Sequence, residues 1–322
     1  MKYLDEIGFY TLTDERAKNT SNKSNMKRCE LIITGKCNFK CPYCRGLRKD
    51  IKQEMSLDEV KKTIDIWAKD NLENIRFSGG EPTVHKDLIQ MVEYAKLKNI
   101  NMIAVSTNGS MPLEYYKKLI KAGVNDFSIS LDACCSSAGD TMSGGIIGAW
   151  DTVVNNIREL SKLTYVTVGM VFTPDNVEDS LNTIRFAHSL GVDDIRIISA
   201  AQYNKALTGL DELEPEILAA HPILNYRVKH FREGINVRGI KKGDSHQCSL
   251  IYDDSVVAGN KHFPCVIYMR EGGNPIGEVN ENMREDRIKW LKEHNTFKDP
   301  ICKRSCLDVC ICYNNKVREF KK

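Results

Sequence analysis

Short apolar runs rich in β-branched residues alternate along this chain with longer stretches whose apolar positions recur every three or four residues. Between residues 29 and 200 the short runs predict strands over 29–34, 74–78, 102–106, 125–131, 165–171 and 194–199. The stretches between them predict helices. The clearest begins at Ser56, an N-cap with Glu59 three residues on, which is a capping box. Its apolar Leu57, Val60, Ile64 and Trp67 keep the helical period. Residues 123–130 (GVNDFSIS) and 191–198 (GVDDIRII) echo each other, each with a Gly-Val turn that ends a helix and starts a strand.

Repeated βα units predict a parallel sheet with helices outside it, curled as a partial barrel. The count gives six strands, although the period alone does not separate six from a full eight. Chemistry in such barrels gathers at the C-terminal ends of the strands. Residues 201–247 read as a helical connector, with one periodic run through Leu213, Ile217 and Leu218. Beyond it, 248–264 and 266–279 read as β-hairpins turning at Gly259 and at Gly272-Gly273. The expected division is a 1–28 extension, a 29–200 barrel, a 201–247 connector and a small 248–322 domain.

Length and composition narrow the class. The 322 residues suffice for one large domain and a smaller one, and 42% hydrophobic residues is ordinary for a globular enzyme. No run approaches the ~20 apolar residues of a membrane span. The first 28 residues have no apolar core of the kind a secretory signal needs. The net charge of +3 neither requires nor excludes nucleic acid. Twelve cysteines without an export signal point to a reducing cytoplasm and metal–thiolate chemistry rather than disulfides.

The cysteines fall into groups. Cys37, Cys41 and Cys44 lie in CNFKCPYC, just after the first predicted strand. A [4Fe–4S] cube takes four ligands. Three local thiolates leave one iron open to a small molecule, and a zinc knuckle is the plain alternative. This run resembles the signature of the radical S-adenosylmethionine (SAM) superfamily. The resemblance implies a cluster whose fourth iron chelates SAM, reductive cleavage to a 5′-deoxyadenosyl radical, and hydrogen abstraction from substrate.

Other strand ends carry further marks. After the second strand comes Phe77-Ser-Gly-Gly-Glu-Pro. Gly79 and Gly80 let a ligand approach the backbone, and Glu81, followed by Pro82, can accept from an ammonium. The superfamily resemblance assigns this run to the SAM amino group. Asn108, Ser130 and Asp132 end later strands. Their short polar side chains suit ribose hydroxyls and a carboxylate, or ordinary turns. Tyr43 is expected near the adenine. Arg196 could reach the SAM carboxylate or form a structural ion pair. Cys134 and Cys135 follow Asp132 and could give a hydrogen atom or an electron to a substrate radical, while a free core cysteine is the alternative. Cys29 reads as core. The seven histidines show no ligand spacing, and His85 is a base candidate or a helix-start residue.

A second set, Cys248-x10-Gly259-x5-Cys265 and then Cys302-x3-Cys306-x3-Cys310-x-Cys312, resembles the SPASM and twitch extensions of radical SAM enzymes. It implies one auxiliary [4Fe–4S] cluster held by Cys248, Cys265 and two of the last four cysteines. A four-thiolate zinc site is the alternative. The implied fold is α/β, a partial (β/α)6 TIM-like barrel with a small C-terminal iron–sulfur domain. The implied partners are SAM, a flavodoxin- or ferredoxin-type reductant, and a peptide or small-molecule substrate, with no membrane. A peptide or protein substrate is expected first, a nucleotide or nucleobase second, and a non-catalytic electron carrier last.

Overall fold

β1 (Arg28–Thr34) is buried at every position but its first, as a strand covered on both faces must be. The computed structural model describes Leu4, residues 6–205 and residues 207–322. β2 (Asn74–Gly79) runs parallel to β1, with Cys29 opposite Ile75 and Ile32 opposite Ser78. Next come β3 (Met102–Thr107), β4 (Asp126–Ser130), β5 (Tyr165–Phe172) and β6 (Asp194–Ser199). All six predicted strands are present, within two residues at each end. The Ser56 capping box forms and starts the helix Leu57–Lys69.

The chain folds into two compact units. The first comprises the residues up to Lys36, Gly46–Ala104 and Arg238–Lys322, and the second comprises Cys37–Arg45 and Val105–Val237. β3 carries the chain from one unit to the other. In the second unit β4, β5 and β6 are parallel neighbours, with Ser130 opposite Gly169 and Gly169 opposite Arg196.

In the first unit, β7 (Asp254–Ala258) pairs parallel with β1 on the side away from β2, placing Arg28 opposite Asp254. β8 (Lys261–Phe263) and β9 (Gly277–Glu278) follow, each antiparallel to its neighbour. The strands between Asp254 and Glu278 therefore extend the sheet that β1 begins. The N-terminal segment is integrated too. Arg16 pairs with Asp253, whose Oδ2 also accepts from Thr20 Oγ1 at 2.6 Å and Tyr313 Oη at 2.5 Å.

One expectation fails. The hairpin at Gly259 forms, but 266–279 is no second hairpin, because Val266–Arg270 is helical. Cys265 caps that helix, its sulfur accepting from Tyr268 N at 3.3 Å. Gly272-Gly273 then turns the chain back to the two-residue β9. Among the described residues, no helix is long and apolar enough to cross a membrane.

Candidate functional site

The second unit builds a cysteine loop. Cys37, Cys41 and Cys44 converge closely enough that charge on Cys44 and Cys37 disfavours charge on Cys41. Burial is the larger cause, and together with Asp132 it pushes the Cys41 thiol up to about 12. Bare thiolates are thus disfavoured there, and a cationic iron–sulfur core would offset the penalty. Cys37 and Cys44 are exposed, as ligands presented to a cluster should be.

Strand ends tie this loop down. Asn108, just past β3, donates through Nδ2 to Asn38 Oδ1 at 2.9 Å and approaches Cys37 Sγ at 4.0 Å. Asn38 Nδ2 donates to Ser110 Oγ at 2.8 Å, and Lys40 N to Ser143 O at 2.9 Å. Tyr43 Oη donates to Asp132 Oδ2 at 2.5 Å. The other carboxylate oxygen of Asp132 accepts from Val171 N at 2.7 Å, and its backbone carbonyl from Asn176 Nδ2 at 3.1 Å. Asp132 is buried, with both carboxylate oxygens engaged by protein. Its position clamps the loop, as does that of Asn108.

Ser130 and Arg196 are both exposed, one on each side of Gly169 in register. The Arg196 guanidinium lies over Gly169, where a Cβ would be in ordinary contact with it at 3.5 Å. Cys135 is exposed and faces Ser137 Oγ at 3.7 Å. Cys134 shares a hydrogen bond with Thr183.

The GGEP turn lies in the first unit. Gly80 N and Glu81 N donate to the carbonyls of Thr34 and Lys36, at 2.7 and 2.8 Å. A Cβ on Gly79 would run into Thr34 O, and one on Gly80 into Lys36 O. Both glycines are thus required by the close approach to the end of β1. Glu81 is buried, with Oε1 accepting from Thr83 N at 3.0 Å and Thr83 Oγ1 at 2.6 Å, and Pro82 opens the short turn it caps. His85 is structural, since Nδ1 accepts from Asp87 N and Nε2 meets Met55 O at 2.9 Å. Cys29 is buried in β1, with its thiol pushed far up by burial.

The first unit also gathers the second cysteine set. Cys248 precedes a short turn (Ser249–Tyr252), Cys306 ends the helix Pro300–Ser305, and Cys310 lies in the helix Asp308–Phe320. Charges on Cys248, Cys265, Cys306 and Cys310 act on one another in every pair. Burial first, then Cys310, pushes Cys248 up to about 12, while Arg287 pulls it back. Cys302 feels Cys248 and Cys265. Cys312 follows Cys310 by two helical positions, so the two face different directions.

Three residues here were not singled out from the sequence. Arg287 is fully buried and donates to Ile251 O, Phe263 O and Asp254 O. Its signal was an arginine in the apolar stripe of the helix Met283–Glu293, between Met283 and Leu291. His294 and Asp299 gather around Cys302. Among the described residues, these three form the group of metal-type donors whose ligand atoms all lie within 4.8 Å of one another. Four thiolates on one zinc would sit about 3.8 Å apart. Among the described residues, neither cysteine set forms so tight a group.

Residues 31–187 match the Radical SAM superfamily. The chain thus carries the domain that defines the radical SAM enzymes. Among curated relatives, it is similar to a probable GTP 3′,8-cyclase of Metallosphaera sedula, 26% identical over 63% of this chain and 66% of the relative. It is also similar to the GTP 3′,8-cyclase of Alkaliphilus metalliredigens, 25% identical over 77% of this chain and 83% of the relative. Among solved structures, anSMEcpe with bound AdoMet shares the fold, with TM-score 0.59 and 14% identity over 92% of this chain and 95% of that one. These likenesses agree with an α/β partial barrel.

Proposed function

We propose that the chain reductively cleaves SAM and abstracts hydrogen from a nucleotide or nucleobase substrate. The observation that carries the first part is the convergence of Cys37, Cys41 and Cys44 on a loop pinned by Asn108 and Asp132. When bound, a [4Fe–4S] cluster there supplies the electron that splits SAM. The three cysteines would hold it, and the Asn108 and Tyr43–Asp132 contacts would keep the loop from moving when the ligand arrives. Ser130 and Arg196 offer an exposed hydroxyl and cation beside the Gly169 backbone for a polar, anionic ligand.

The substrate class rests on the relatives. The sequence alone favoured a peptide or protein, but the two curated relatives above are named for GTP. Cys248, Cys265, Cys306 and Cys310 would hold a fully ligated auxiliary cluster, with no iron left for substrate. Such a cluster suits electron transfer or a structural role.

The test is anaerobic incubation of the reconstituted protein with SAM, dithionite and each of the four ribonucleoside triphosphates, followed by mass spectrometry. A nucleotide product matched by 5′-deoxyadenosine is expected. Turnover of peptides with every nucleotide unchanged would restore the peptide reading.

A further inference from the structure

We propose that His294, Asp299 and Cys302 form a mononuclear site for a zinc-type divalent cation, separate from both clusters. The three donors lie within the nine residues 294–302, where one helix ends and the next begins. His294 caps the C-terminal end of the helix Met283–Glu293, Asp299 caps the N-terminal end of Pro300–Ser305, and Cys302 is in the first turn of that second helix.

The distances suit one metal. A tetrahedral zinc with ordinary bond lengths holds sulfur and imidazole nitrogen about 3.5 Å apart, and nitrogen and carboxylate oxygen about 3.4 Å apart. Here Cys302 Sγ and His294 Nε2 are 3.5 Å apart, and His294 Nε2 and Asp299 Oδ2 are 3.8 Å apart. The donor types are those zinc takes, and three protein ligands leave one position for water.

The surroundings hold the donors in place as outer contacts of a metal site do. The His294 ring stacks on Trp290 with centroids 3.8 Å apart, which fixes its plane. Asp299 Oδ1 accepts from Cys302 N at 2.8 Å, so the carboxylate is already tied to the backbone of the residue whose thiol would share the metal. Tyr268 Oη donates to Asp299 Oδ2 at 3.1 Å, which leaves that oxygen lone-pair capacity toward His294. The site lies in the first unit beside Cys248 and Cys265, whose charges also act on Cys302, and Cys248, Cys265, Cys306 and Cys310 make four thiols without it. Binding would displace the Cys302 thiol proton to solvent, as metal–thiolate formation requires. The cation would tie the two helix ends together beside the cysteine set.

The experiment uses the full chain after iron–sulfur reconstitution, equilibrated with Zn2+ and desalted. Iron and zinc are counted separately, and the zinc-edge X-ray absorption spectrum is recorded. One zinc with one sulfur and two or three nitrogen or oxygen neighbours is expected. His294→Gln and Cys302→Ser should weaken zinc binding at least ~10-fold and leave iron unchanged. Loss of about four irons in Cys302→Ser would make Cys302 a cluster ligand and overturn the proposal. So would a wild-type spectrum with four sulfurs, or no retained zinc. If either variant fails to fold, the wild-type spectrum decides. Because zinc and iron are read apart, absence of auxiliary iron would defeat the cluster reading without touching this one.

Discussion

Tyr43 Oη donates a 2.5 Å hydrogen bond to Asp132 Oδ2, joining the middle of the cysteine loop to the end of β4 across 89 residues of sequence. Burial is the main force on that carboxyl group and raises it to about 6, against the pull of the Tyr43 and Val171 hydrogen bonds. The folded value thus lies above the unfolded one. The native chain holds the proton between about pH 4 and 6, where the unfolded chain has lost it. Stability should fall as pH rises through that window, by roughly 3 kcal/mol, and stay lower above it. Asp132→Asn should remove the slope, since its oxygen can accept from Val171 N while its amide donates to Tyr43 Oη. Urea midpoints of the iron-free chain at several pH values check this. Equal slopes in both proteins would assign the pH dependence elsewhere.

Gly80 tests the packing of the GGEP turn. A methyl group there meets the carbonyl oxygens of Lys36 and Gly35. Gly80→Ala should cost about 1–3 kcal/mol by overpacking. Gly243→Ala is the control, because nothing lies within 4 Å of its added methyl. Thermal unfolding should separate the two variants clearly. A neutral Gly80→Ala would mean that the β1 end yields easily, and that these glycines serve only ligand approach.

Arg287 links the sheet to the second cysteine set. Its three carbonyl contacts join the turn before β7, β7 itself and β8. Its charge is also a favourable neighbour for a Cys248 thiolate. Arg287→Leu should destabilise the protein by about 3–5 kcal/mol, as loss of a buried charged partner does. Iron content should drop toward half as the auxiliary cluster is lost. Arg287→Lys should recover part of the iron. Full iron with Arg287→Leu would show that the cysteine set does not depend on this charge.

Much of this was legible in the sequence. Strands buried on both faces read as apolar runs, so all six appeared near their true bounds, and the Ser56 capping box is a local signal that needs no tertiary contact. The Cys37–Cys44 spacing is equally local. The rest depends on partners far apart in the chain. Gly79 and Gly80 read as openings for a ligand, but the atoms they make room for belong to residues 34–36. Asp132 and Asn108 read as ligand contacts, yet both hold the cysteine loop. Apolar 266–270 suited a strand by composition, and the sulfur cap from Cys265 made it a helix. Arg287 was hidden because an arginine in an apolar stripe is unexpected until the three carbonyls it donates to are brought around it.

Reductive cleavage of SAM at the Cys37, Cys41 and Cys44 loop can be tested in a single reaction. Anaerobically reconstituted wild-type protein is mixed with SAM and dithionite, quenched, and assayed by chromatography for 5′-deoxyadenosine and methionine. Both products are expected in equal amounts from wild type, and neither from the Cys37→Ala, Cys41→Ala, Cys44→Ala triple variant, which should keep about half of the iron. Wild type that carries its iron yet releases no 5′-deoxyadenosine with any reductant would contradict that expectation.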